Sequence, residues 1–253
     1  MSNIMNTDPE RKFISNGIVA YDGMNLEEYV FCSLENYKGE LQDYKLDIIT
    51  SQKPSDKPIP VVIFVHGGGF VQPHDKRQGY IPTFARALTN AGYAVVSPDY
   101  PVFDNSAQRE TWNDTLGADR AAEALHLAYE YVKANANKFN FDSERISIMG
   151  GSAGGMACYY LLEFYDDEYK LFGNCWGAPW RYTPDVSGFP PTVSVHGTAD
   201  QAVSYALEAP IHAALDKEGI PNILVTLEDA PHTPMKHFDK FIPVIIEWLN
   251  KYT

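Results

Sequence analysis

The sequence predicts an α/β fold, a mostly parallel central sheet with helices on both faces. Three observations carry this. Strand-like and helix-like segments alternate through most of the 253 residues. One segment, Val61-Val62-Ile63-Phe64-Val65, is apolar without interruption, as a central parallel strand covered on both faces requires. Two glycine-rich strings, His66 to Phe70 and Gly150 to Gly155, directly follow strand-like segments, where such a sheet turns its strand ends into loops.

In chain order, Met1 to Gly17 is polar and has no apolar stretch of the signal-peptide kind, so the expected location is cytoplasmic. Residues 1–42 read as an extension packed on or near the site. Tyr44 to Thr50 is the first strand, and Gln52 to Pro60 a turn rich in Pro, Lys and Asp. The apolar run at Val61 follows. Ile81 to Ala91 is a helix stopped by Gly92, and Tyr93 to Ser97 a strand ending at Pro98-Asp99-Tyr100. Trp112 to Lys138 reads as one long helix, with Leu116, Ala121, Leu125, Ala128 and Val132 marking its apolar face. Ile146 to Met149 is a short strand running into the second glycine string. Ala153 to Phe164 is a helix whose Gly154, Gly155 and Ala157 permit close approach to the sheet.

Leu171 to Trp176 is a strand, and Gly177 to Gly188 a loop. Thr192 to Val195 is a strand, Tyr205 to Glu218 a helix ended by Gly219, Ile223 to Leu227 the last strand and Phe238 to Tyr252 the closing helix. There is no internal repeat, low-complexity segment or linker, so a single domain over 1–253 is expected.

Composition narrows the function. Net charge is −13 and no basic run exceeds Lys76-Arg77, which argues against nucleic acid and anionic membrane partners. No apolar run approaches the ~20 residues of a membrane span. Cys32, Cys158 and Cys175 are too few and scattered for a disulfide framework or a zinc site, and suit a reducing compartment. There is no phosphate-binding loop and no Gly-x-Gly-x-x-Gly string, so no cofactor is expected.

The chemistry is read from strand ends. Gly150 to Gly154 is Gly-x-Ser-x-Gly, which holds a serine on a sharp strand-to-helix turn and makes Ser152 the candidate nucleophile. A serine hydroxyl is a poor nucleophile at neutral pH and needs a base oriented by an acid. His232, after the last strand, is the candidate base, with His237 as its competitor. Asp200, after the strand ending at Val195, is the candidate acid, with Glu228 and Asp229 as alternatives. Backbone N–H groups of Gly68, Gly69 and Ala153 are the candidate oxyanion donors. His66 and His196 read as braces of their glycine turns, Asp99 as an acceptor for nearby backbone amides, and Arg145 as a salt-bridge anchor at a strand start.

The order Ser, Asp, His and the strings around them resemble the α/β-hydrolases. The likeness is to the esterase and lipase group related to the hormone-sensitive-lipase branch and to compact carbohydrate esterases. The resemblance runs from about Asp43 to Tyr252. It rests on His66-Gly-Gly-Gly-Phe70, Ser97-Pro-Asp-Tyr100, Asp142-Ser-Glu-Arg-Ile146, Gly150-Gly-Ser-Ala-Gly-Gly155, His196-Gly-Thr-Ala-Asp200 with Val203, and Asp229-Ala-Pro-His232. The chain departs from that pattern in three places. Only Gly177 to Pro191 stands where the lipase branch carries a cap domain. Pro101 replaces the usual arginine after Asp99-Tyr100, and Gly151 stands where an acidic residue is commoner.

The resemblance implies an α/β-hydrolase fold without a large cap, and a serine carboxylesterase acting on short-chain acyl esters, among them acetyl or aromatic esters of carbohydrates. Phe70, Tyr100, Trp176, Trp180 and Tyr182 are candidate substrate-lining residues, with partial core as the competing role. The other functional readings are a serine peptidase or amidase of the same fold and a non-catalytic binding protein on a hydrolase scaffold.

Overall fold

In the computed structural model, which describes residues 23–77, 79–104, 114–179 and 183–253, eight strands join in one sheet. They are β1 (Met24–Glu35), β2 (Leu41–Ser51), β3 (Ile59–Val65), β4 (Ala94–Pro98), β5 (Phe141–Gly151), β6 (Phe172–Cys175), β7 (Thr192–Gly197) and β8 (Asn222–Leu227). Their order across the sheet is β1-β2-β4-β3-β5-β6-β7-β8. From β4 to β8 every pairing is parallel, while β1 and β2 are added antiparallel at one edge. The described helices are α1 (Ile81–Asn90), α2 (Asp114–Ala134), α3 (Ala136–Phe139), α4 (Ala153–Phe164), α5 (Glu208–Lys217) and α6 (Phe238–Tyr252).

The uninterrupted apolar run explains the layering. Val61, Ile63 and Val65 face one core, with Leu125 and Val132 of α2 and Leu161 of α4. Val62 and Phe64 face the other, with Phe84 and Leu88 of α1 and Phe241 and Ile245 of α6. Alternate side chains of a strand point to opposite faces, so a strand covered on both sides must be apolar at every position. All five are fully buried, and each contributes about 1.5–3 kcal/mol relative to an exposed side chain.

Several elements differ from the sequence reading. Residues 24–42, expected as part of an extension, hold the edge strand β1 and the turn into β2; residues 1–22 lie outside the described residues. The segment was hard to recognise because an edge strand buries little of either face, and β1 is mostly exposed or half-buried. The long helix is divided. Residues 105–113 lie outside the described residues, and α2 stops at Ala134. Asn135 turns its side-chain amide back to the Tyr131 carbonyl (2.8 Å), the local competition that makes asparagine a poor helix residue. Leu116, expected on the apolar face, is 38% exposed. β5 starts at Phe141, five residues early, through a bulged pairing with β3. Tyr205 to Leu207 is a 3₁₀ turn preceding α5.

The topology brings the carboxyl ends of β3, β5, β7 and β8 to the same edge of the sheet, where parallel α/β proteins build their sites.

Candidate active site

A strained turn follows β5. Ser152 has φ 56° and ψ −123°, and α4 begins at the next residue. Such backbone strain costs about 1–3 kcal/mol and persists only where neighbours hold it. Here the Ser152 N–H donates to the Cys175 carbonyl (2.9 Å) and the Met156 N–H donates to the Ser152 carbonyl (3.1 Å). Close backbone approach demands the flanking glycine: a β-carbon on Gly154 would stand 2.4 Å from the Val65 carbonyl oxygen.

The β3 loop lies against this turn. A β-carbon on Gly67 would stand 2.7 Å from the Gly151 carbonyl oxygen and 3.0 Å from Ser152 Cβ. The loop is braced from below. His66 Nδ1–H donates to the Gly67 carbonyl (2.8 Å), and the Gly67 N–H donates to the Tyr80 hydroxyl (2.6 Å). Tyr100 stacks on the His66 ring at 4.2 Å, and its hydroxyl donates to the His66 carbonyl (2.7 Å). Burial pulls His66 below the ordinary histidine range, so its ring is neutral. Gly68 and Gly69 have φ of 109° and 62°. Their N–H groups make no hydrogen bond among the described residues. Ala153, in the first turn of α4, has no intrahelical acceptor for its N–H.

Ser152, His232 and Asp200 meet. His232 Nε2 is 2.9 Å from Ser152 Oγ, and His232 Nδ1 is 2.7 Å from Asp200 Oδ2. The Asp200 side chain is fully buried, whereas that of His232 is 25% exposed. Asp200 Oδ1 accepts from the Ala202 N–H (2.8 Å) and the Val203 N–H (2.9 Å). Burial pushes its carboxyl up, but the bonds from His232 and these amides outweigh that and hold it below the usual carboxylate range.

The alternatives fall elsewhere. His237 closes a 3₁₀ turn before α6. The Asp229 N–H donates to Thr198 Oγ1 (2.9 Å), and the Thr198 hydroxyl donates to Glu228 (3.4 Å).

The candidate substrate-lining residues are corrected in part. Phe70 is 2% exposed and packs edge-on against Tyr100 in the α2-side core. Trp176 is fully buried among Tyr80, Phe84 and Phe241. Both rings turn inward because filling the space beneath a loop buries more apolar surface than facing a cleft. Tyr100 is 2% exposed with its hydroxyl committed; it borders a cavity of about 410 Å³ that Ser152 and His232 do not line. Trp180 and Tyr182 lie outside the described residues.

Two supporting residues behave as expected. Asp99 accepts from the Lys76 N–H (2.9 Å) and pairs with Lys76 Nζ (2.6 Å). Arg145 pairs with Asp142 (2.7 Å). His196 braces the loop after Gly197 through Asp200 (3.1 Å) and the Val203 carbonyl (3.0 Å), and it has a further partner that the sequence did not reveal. It lies between Asp200 and Glu208, and Glu208 is fully buried. Sequence reasoning missed Glu208, since an acidic residue in a helix's first turn is ordinary there.

Comparisons with known proteins agree with this architecture. Residues 46–161 match the family model BD-FAE. Esterase LipC of Mycobacterium tuberculosis is 33% identical over 126 residues, 49% of this chain and 28% of its own length. The chain thus spans little more than a quarter of that relative. Among solved structures, MGS-M1, an α/β hydrolase from a Medee basin deep-sea metagenome, superposes with a TM-score of 0.73 at 18% identity, covering 91% of this chain and 98% of its own. Thermogutta terrifontis esterase 2 phosphonylated by cyclosarin superposes with a TM-score of 0.69 at 20% identity, covering 90% and 94%. The expected α/β-hydrolase fold holds, as does the esterase and lipase resemblance drawn from the motifs. Among the described residues no helix is long and apolar enough to cross a membrane.

Proposed function

Starting from an α/β-hydrolase chain that resembles esterases and lipases, we propose that it is a serine carboxylesterase hydrolysing short acyl esters through an acyl-enzyme on Ser152. The observation that carries this reading is the unbroken relay from Ser152 Oγ through His232 to Asp200, at 2.9 and 2.7 Å.

In this reading His232 Nε2 takes the Ser152 proton as Oγ attacks the ester carbonyl. The oxyanion forms beside the N–H groups of Gly68, Gly69 and Ala153, and losing one such donor typically costs about 3 kcal/mol. Asp200 accepts from Nδ1–H and so leaves Nε2 free to act as base. The intermediate collapses, the alcohol leaves with the proton from His232, and water repeats the sequence to release the acid. Acetyl or aromatic esters of carbohydrates are the natural substrates proposed, since only residues 176–191 stand between β6 and β7, where a cap would be inserted.

Paired assays with p-nitrophenyl acetate and an acetyl p-nitroanilide test the reaction class. Rapid ester hydrolysis with little amide hydrolysis is expected. Faster amide than ester turnover would make the protein an amidase, and no turnover of either would refute the reading.

A further inference from the structure

His196, the penultimate residue of β7, has a fully buried side chain enclosed by acceptors. Its Nε2 is 3.0 Å from the Val203 carbonyl and 3.1 Å from Asp200 Oδ2. A carbonyl oxygen can only accept, so Nε2 carries a proton. Its Nδ1 is 2.7 Å from Glu208 Oε1. That oxygen also accepts from Asn174 Nδ2 at 3.0 Å. The amide orientation of Asn174 is fixed independently, because Nδ2 donates to the Gly177 carbonyl (2.8 Å) while Oδ1 accepts from the Gly177 N–H (3.2 Å). Oε1 already accepts one hydrogen bond, and an ionised Glu208 carboxylate can only accept, so Nδ1 carries a proton as well.

We infer that His196 is a standing imidazolium wedged between Asp200 and Glu208, and that it is a positioning residue for the reaction at Ser152. It holds the same Asp200 oxygen that His232 uses, and so moderates the pull of that carboxylate on the His232 proton. The inference rests on the triad reading above.

Two carboxylates face the ring, and a second histidine, His212, stands beyond Glu208, raised above the ordinary histidine range by Glu208 and Asn222 against the effect of burial. Asp200 faces the His196 ring from the loop after β7. Glu208 faces it from α5, with His212 Nε2 a further 3.5 Å beyond on Glu208 Oε2 and His212 Nδ1 on Asn222 of β8 (2.6 Å). His232 lies on the far side of Asp200, and the Tyr205 ring meets His196 edge-on at 5.9 Å. On the Glu208 side stand Asn174 and the Cys175 thiol of β6 and the Tyr159 phenol of α4, the last two pushed up by burial and hence neutral. Burial alone would lower His196, but the Glu208 bond outweighs it and raises it above the ordinary histidine range. Burial would raise Glu208, but His196 and His212 hold it below the usual carboxylate range.

The role has a definite sign. Without a cation behind it, Asp200 stabilises protonated His232 more strongly, so the base becomes available only at higher pH.

Two measurements test this on the full chain. In protein labelled with ¹⁵N-histidine, both ring nitrogens of His196, identified by their loss in His196→Gln, are expected to carry protons up to pH 9. A single protonated nitrogen at pH 8 would overturn the assignment. In the double variant His196→Gln/Glu208→Gln, neutral at both positions, the acid limb of kcat/KM for p-nitrophenyl acetate should move up by about half a pH unit or more. Activity at pH 6 should then fall about three-fold or more and recover toward pH 9. A limb at the wild-type position would leave His196 only structural and overturn its role at Ser152. If the wild type hydrolyses no ester, the proposed function fails while the nitrogen measurement still reads His196.

Discussion

Ser152, His232 and Asp200 meet through contacts of 2.7 to 2.9 Å, so under the proposed mechanism each removal should be nearly as damaging as removing all three. Ser152→Ala and His232→Ala are expected to lower kcat/KM on p-nitrophenyl acetate by about 10⁴-fold or more, and their combination to add little. Asp200 differs from the other two in its burial. Its fully buried carboxylate also partners His196, so Asp200→Ala leaves a buried cation short of an acceptor as well as losing activity. Breaking a buried pair from one side costs about 3–5 kcal/mol. Thermal unfolding should therefore show Asp200→Ala melting about 6 °C or more below the wild type, while Ser152→Ala melts close to it. Equal melting temperatures for the two variants would contradict this account of Asp200.

Elements explain why part of the site was readable in the sequence and part was not. The elbow was legible because strand, strained serine and helix are contiguous, with Gly150 and Gly154 marking the turn in one short string. The residues that meet Ser152, Asp200 and His232, were legible as the first candidate acid and base after β7 and β8. Phe70 and Trp176 were ambiguous because an aromatic residue after a glycine-rich turn can face either way, and only packing decides. Glu208 was invisible because its partner His196 lies twelve residues away across a loop.

The edge hairpin was also obscure, and its anchoring is electrostatic. Arg77 binds the buried Asp47 of β2 (2.6 Å) and Glu28 of β1 (3.2 Å), while Lys76 binds Glu28 (3.1 Å) and Asp99. The Lys45 bond to Glu28, aided by Lys76 against the effect of burial, holds its carboxyl down to about 2. A lowered carboxyl stabilises the fold fully above its unfolded value of about 4.3 and loses that contribution as pH falls toward the folded value. The melting-temperature gap between wild type and Glu28→Gln should therefore be present at pH 7 and close between about pH 4 and pH 2. A gap that stays constant over that range would mean Glu28 does not anchor the hairpin by charge.

At the scale of the whole molecule, one sheet gathers four strand ends into the site, and only residues 176–191 connect β6 to β7. The alternation of strands and helices made this layout legible, because a parallel sheet needs a crossover between strands and the crossovers carry helical periodicity. The absence of cap-sized sequence between β6 and β7 bears on substrate size. Each extra methylene contributes about 0.8 kcal/mol only where apolar surface receives it. On p-nitrophenyl esters kcat/KM is expected to peak at about two to four acyl carbons and to fall beyond about six. A preference for chains of ten or more carbons would require a deep acyl tunnel and would contradict the short-acyl reading. The most direct test of the central claim is the site of covalent trapping. After treatment with a fluorophosphonate, peptide mass spectrometry should find one adduct per chain, on Ser152, formed in step with loss of esterase activity and prevented by His232→Ala. An adduct on another residue, or full activity with Ser152 modified, would contradict it.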